Sequence, residues 1–144
     1  MRSATIPFLA AALTLGPAHA AAPNMKDGLW EITTKMEMAG KSGGAMPQQI
    51  VRQCVTKKDL EDPRRTTPSG DSRCKMTDYK MQGNTATWKM ACEGEGGMTG
   101  TGTVSYSGDS YRGNQTMTMK RKGQVMNMKM DFSGRRVGDC PKNK

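Results

Sequence analysis

The chain has 144 residues, a formal net charge of +9, fourteen methionines, four cysteines and one histidine. That histidine, His19, falls in an export signal, so the mature protein can have no Ser-His or Cys-His catalytic pair and no histidine zinc site. Only ten aliphatic or phenylalanine side chains remain in the 124 residues after the signal, and methionine must supply much of the interior.

The chain opens with Met1-Arg2-Ser3, an apolar run from Ala4 to Leu15, then Gly16-Pro17 and Ala18-His19-Ala20. A positive start, a short apolar stretch and a small-x-small site read as a secretory signal over 1–20, cleaved after Ala20. Spanning a bilayer takes about 20 apolar residues, and Pro17 with His19 cuts this run short. No later stretch is apolar enough to cross. The expected product is one domain, 21–144, periplasmic or secreted, not membrane-spanning, and carrying +8 once Arg2 is lost.

The first strand is predicted at 28–38, where Trp30, Ile32, Thr34, Met36 and Met38 alternate with Glu31, Thr33, Lys35 and Glu37. A glycine-rich loop, Ala39 to Met46, leads to a second strand at about 48–55. From Thr56 to Ser72 the chain is polar. Within it Thr56-Lys57-Lys58-Asp59 resembles a capping box for one helical turn, ended by Pro63.

The second half reads as a meander. Two-residue turns at Gly83-Asn84, Gly108-Asp109 and Lys122-Gly123 set three registers. They place Met81 opposite Ala86, Tyr79 opposite Trp88, Tyr106 opposite Tyr111, Gly100 opposite Met117, Met119 opposite Met126 and Gly113 opposite Phe132. Each register puts the large apolar side chains on one face and threonine, asparagine and lysine on the other. A slip of one residue would invert all of it. The strands are expected at 75–82, 85–92, 98–107, 110–120 and 124–134. Some seven strands with one apolar face must curl or stack to bury it. The expected fold is all-β: an antiparallel meander curled into a small lipocalin-like barrel or half-barrel, with a sandwich as second choice.

Cys54, Cys74, Cys92 and Cys140 form no CxxC pair, and an even count in an oxidising compartment reads as two disulfides. Three connectivities are possible; the favoured expectation is Cys54–Cys74 with Cys92–Cys140.

Two candidate sites emerge. Trp30, Trp88, Tyr106, Tyr111 and Phe132, with glycines at 100, 102 and 113 leaving room beside them, would suit a small apolar ligand. Met98, Met117, Met119, Met126 and Met128 cluster on three neighbouring strands, and their thioethers would favour Cu(I) or Ag(I). The plain alternative is that rings and methionines simply fill a small core. Enzyme readings are weak. Glu93 with Glu95, and Asp59 with Glu61 and Asp62, lie in loops or a helical turn, and the run Gly94 to Gly102 lacks a phosphate-loop ending. No catalytic residue, cofactor or nucleic-acid partner is expected. Basic clusters at Arg64-Arg65, Lys120-Arg121-Lys122, Arg135-Arg136 and Lys142/Lys144 would attract an anionic envelope component. The expected role is a binding module for a small apolar molecule or envelope component; soft-metal binding, or a structural role without a small ligand, are the alternatives.

A set of ordered motifs adds to this reading: Gly28-Leu29-Trp30-Glu31-Ile32, Gln53-Cys54-Val55-Thr56, Cys74-Lys75-Met76-Thr77-Asp78, Gly97-Met98-Thr99-Gly100, Tyr106-Ser107-Gly108 and Ser133-Gly134-Arg135-Arg136-Val137-Gly138-Asp139-Cys140. In these the chain resembles the bacterial domain-of-unknown-function family 3617 over essentially its whole mature length. The resemblance implies an exported envelope protein and supplies no activity, substrate or functional residue.

Overall fold

A computed structural model of the chain describes residues 22–39, 44–62, 73–94 and 96–142. The predicted signal, Pro63, Arg64, Arg65, Glu95 and Lys144 lie outside them. Seven strands and one short helix follow in order: β1 (Gly28–Ala39), β2 (Gln49–Val55), α1 (Lys57–Glu61), β3 (Cys74–Gln82), β4 (Thr85–Cys92), β5 (Met98–Tyr106), β6 (Ser110–Arg121) and β7 (Gln124–Gly138). All seven strands form one antiparallel sheet in the order β2-β1-β7-β6-β5-β4-β3. The meander β3 to β7 therefore runs as expected, and β1 returns to pair with β7 while β2 lies outside β1. The edge strands β2 and β3 do not pair with one another, so the sheet curls without closing.

The curl is visible in the rings. Three strand spacings separate β4 from β7, about 14 Å in a flat sheet. Yet the Trp88 and Phe132 rings on those strands lie 6.5 Å apart, and Trp30 on β1 stacks 5.5 Å from Tyr111 on β6. Trp30 is 0% exposed and Trp88 2%. Their own sheet supplies most of that cover.

Strand pairing turns the inner face into rungs. Met38, Met128, Met117, Gly100, Met90 and Met76 pair in succession across six strands. The rung nearer the β6–β7 turn is Met126, Met119, Met98, Cys92 and Cys74. On the other side of the methionine rung comes Met36, Met130, Gln115, Gly102 and Trp88. Next is Thr34, Phe132, Gly113, Val104, Ala86 and Met81. Sulfur thus gathers at one end of the concave face and rings at the other.

Glycine is what lets the rings lie down. Trp88 pairs directly with Gly102, Phe132 with Gly113 and Tyr111 with Gly134. A Cβ on Gly102 would stand 2.2 Å from the Trp88 ring, one on Gly113 2.4 Å from Phe132, and one on Gly134 2.2 Å from Tyr111. Each ring therefore covers bare backbone on the next strand, the arrangement by which aromatics compensate for glycine in a sheet.

Two sequence expectations need correction. The disulfides are Cys54–Cys140 and Cys74–Cys92, not Cys54–Cys74 and Cys92–Cys140. The cause is a β-bulge in β3. Tyr79 faces Trp88 as expected, but Asp78 joins it there, because Thr77 pairs with Lys89 and Lys80 with Thr87. Asp78 takes a left-handed backbone (φ 51°), which aspartate tolerates better than most residues. Without the bulge Lys75 would oppose Cys92; with it, Cys74 does. The second correction concerns β7, which continues four residues beyond the expected end at 134. Its far end pairs with β1, where Arg135 opposes Glu31. Glu31 accepts from Arg135 at 2.7 Å and from Arg52 of β2 at 3.1 Å, tying three strands on the outer face.

The helical turn forms as read: Thr56 Oγ1 accepts from the Asp59 backbone N–H and Asp59 accepts from that of Thr56. Near the same end of the molecule Cys54–Cys140 closes a separation of 86 residues, and at the opposite end of the sheet Cys74–Cys92 closes one of 18. Chain entropy assigns these roughly 4.5 and 3 kcal/mol, a large share for so lean a core.

The ring-on-glycine packing predicts that Gly113→Ala destabilises the fold by about 1–3 kcal/mol, since its Cβ meets both Phe132 and the Thr103 carbonyl. Gly44→Ala, with open space around it, should stay within about 0.5 kcal/mol of the parent in the same urea titration. Equal stabilities would refute the packing.

Candidate functional site

The two ends of the concave face differ in access. At the ring end a strap formed by residues 24–27 lies along the β5–β6 turn: Gly108 donates to the Asn24 carbonyl at 2.8 Å and Lys26 donates back to Gly108 at 3.0 Å. Met25, at the centre of this strap, is buried in the core, and the Trp30 Nε1–H donates to the Lys26 carbonyl at 3.0 Å. Lys26 pairs with Asp109 at 2.8 Å, and the Arg136 Nε–H donates to the Asp27 carbonyl at 2.7 Å. Local hydrogen bonds therefore seal the mouth nearest the rings.

All five aromatics proposed as a ligand site are brought together here. Tyr106 lies 6.1 Å from Tyr111, which lies 6.3 Å from Phe132. The room expected beside Gly102 and Gly113 is filled by Trp88 and Phe132 themselves, and Met117 Cγ sits 3.1 Å from where a Gly100 Cβ would be.

The sulfur end is built differently. Met98, Met119 and Met126 are directly paired on β5, β6 and β7, beside the Cys74–Cys92 bridge, and all remain partly exposed. The β4–β5 loop leans on this end: Lys120 donates to the Gly96 carbonyl at 3.2 Å, and a Cβ on Gly96 would fall 1.8 Å from the Lys120 carbonyl oxygen. Only glycine permits that approach. Opposite it, Lys122-Gly123 turns with φ of 48° and 76°, a type I′ geometry that holds the basic run at the mouth.

Two cavities flank Met119. One, of about 140 Å³, is bounded by Met98, the Cys74–Cys92 bridge, Arg73 and the start of the loop. The other, of about 510 Å³, is bounded by Arg73, Gly96, Met119, Arg121 and Lys122. The larger falls within the roughly 300–1,000 Å³ typical of small-molecule sites. The five methionines read as a soft-metal set stand in adjacent rungs, and strand pairing adds Met38 beside Met128. Among the described residues no group of three His, Cys, Asp or Glu could hold a metal ion.

The matching family model spans residues 25–140, from the buried strap methionine to the last cystine, and describes a protein of unknown function, DUF3617. The chain belongs to the DUF3617 family. No curated protein and no solved structure matches it. Among the described residues of this DUF3617 chain, no helix is long and apolar enough to cross a membrane.

Nothing in the sequence pattern marks Arg73 or Gly96 as site residues, because one precedes a strand and the other sits in a glycine run. Gln115 carried a signal that went unused: it is the polar residue in the inward series Tyr111, Gly113, Gln115, Met117 and Met119. It is 1% exposed, and its Oε1 has no hydrogen-bond partner among the described residues. The Trp88 Nε1–H and the Tyr79 hydroxyl, also buried and without partners, belong to the same level of the sheet.

Burial dominates the tyrosine chemistry. It pushes the Tyr79 and Tyr111 hydroxyls up to about 12, with the neighbouring Tyr106 adding to the effect. On the outer face, hydrogen bonds from Arg135 and then Arg52 hold Glu31 below the usual carboxylate range. The native state favours the neutral phenols, so this contribution to stability is complete below the ordinary tyrosine pKa near 10 and is lost as pH rises toward 12. A spectrophotometric titration at 295 nm should show Tyr79 and Tyr111 ionising late, in step with alkaline unfolding. Ionisation of all three tyrosines near pH 10 in the folded protein would contradict their burial.

Proposed function

We propose that this chain is an exported, periplasmic or secreted binding module that holds a small apolar molecule, or the apolar part of an envelope component, without transforming it. The supporting observation is the asymmetry of the concave face. The ring end is strapped shut, whereas cavities of about 140 and 510 Å³ flank partly exposed Met119 at the other. Methionine suits such a wall because a flexible thioether repacks around guests of different shape. The Cys74–Cys92 bridge lies beside that wall, and two disulfides suit a protein working in an oxidising compartment.

The test uses the neutral apolar fluorophore N-phenyl-1-naphthylamine with the full mature chain. Saturable enhancement, weakened about tenfold or more by Met98→Gln with Met119→Gln, supports the reading, since each polar replacement removes apolar wall. Absence of saturable uptake overturns it. A second reading, soft-metal binding, is favoured by one feature: Met38, Met128 and Met117 are direct cross-strand neighbours on three adjacent strands. Native mass spectrometry after Ag(I) addition should then show silver adducts that vanish in Met117→Leu with Met128→Leu. A bare mass counts against it.

A further inference from the structure

The larger cavity at the open end is a mixed surface. One wall is the Met119 thioether, and the others carry Arg73, Arg121 and Lys122. Arg121 follows Met117 and Met119 in the inward-facing series of β6, so cation and sulfur occupy one side of the same strand. Arg121 and Lys122 are exposed and make no ion pair among the described residues. Several basic side chains elsewhere on the sheet are paired: Lys89 with Asp78, Lys129 with Asp131, and Arg52 and Arg135 with Glu31. The carboxylate nearest the mouth in the described loop, Glu93, is already engaged by Lys75 at 3.1 Å. Among the described residues, Arg121 and Lys122 therefore stand without a paired carboxylate where the apolar interior opens.

Resting on the binding role above, we propose that the open end takes a fatty-acid-type amphiphile. Its carboxylate lies at Arg121 and Lys122, and its single acyl chain runs inward over Met119 toward Met98 and Met117. A carboxylate matches the guanidinium fork and the ammonium at the rim. The chain beyond it meets side chains without charge: the next rung inward holds Met117, Gly100 and Met90. A cationic amphiphile would meet repulsion at the same rim, and a neutral one would leave the cations without a partner.

Displacement of N-phenyl-1-naphthylamine tests this with three probes of equal chain length, each below its micelle concentration: dodecanoate, dodecan-1-ol and dodecyltrimethylammonium. Dodecanoate should displace the fluorophore at about tenfold lower concentration than the ammonium compound, and raised salt should narrow the gap. Arg121→Glu with Lys122→Glu should abolish or reverse the preference for dodecanoate over the ammonium compound. Acetate should displace nothing. Equal displacement by all three probes, or an unchanged preference in the charge-reversed protein, overturns the head-group assignment while the apolar site stands. Displacement by acetate alone would make the site a simple anion site and also overturn it. Failure of the fluorophore itself to bind removes the site and the amphiphile together.

Discussion

Three rings lying across three glycines on the neighbouring strand hold this molecule in shape. Trp88 over Gly102, Phe132 over Gly113 and Tyr111 over Gly134 are each directly paired residues, so the contact is written into the register itself. A side chain of any size at those glycines would lift the ring off the sheet. With the glycines in place, the rings tilt along the concave face until residues on β4 and β7 come within 6.5 Å. A single sheet thereby obtains a core that a flat one would lack. Each aromatic contributes a large apolar area, which matters in a chain with so few aliphatic side chains.

The rest of the architecture follows from that packing. The rungs pass from rings toward one end to sulfur at the other through a mixed rung in which Met36, Met130 and Trp88 stand in line. The strap at Met25 and the Gly108–Asp109 turn shut the aromatic end by backbone hydrogen bonds. The sheet remains open along β2 and β3. On β2, Ile50 and Val51 are 58% and 53% exposed, while β3 carries the bulge at Asp78 and two lysines, features that discourage pairing with another edge. The disulfides reinforce both margins: Cys54–Cys140 ties β2 to the segment after β7, and Cys74–Cys92 ties β3 to β4.

Much of this was legible in the sequence because period-two alternation and glycine turns constrain each other. Fixing Gly108-Asp109 and Lys122-Gly123 places Tyr106 against Tyr111 and Met119 against Met126, and the structure keeps both pairings. The bulge at Asp78 was hidden because its left-handed residue is an aspartate rather than a glycine, and it is this shift that brings Cys74, in place of Lys75, opposite Cys92. The open end was illegible for another reason. Arg73 and Gly96 are far in sequence from Met119 and Lys122, and the four line one cavity only once the β4–β5 loop docks through Gly96. Gln115 was visible as a polar residue in an inward series, but its unpartnered burial depends on Trp88 and Met130 across the sheet.

The account turns on the rings lying flat over their paired glycines, and proton chemical shifts read that directly. In a nuclear magnetic resonance spectrum of the folded protein, the Hα protons of Gly102, Gly113 and Gly134 should be displaced strongly upfield by the ring currents of Trp88, Phe132 and Tyr111, with cross-relaxation joining each glycine to its ring. Glycine protons at ordinary positions, with no contact to those rings, would mean the sheet is not curled by these pairs.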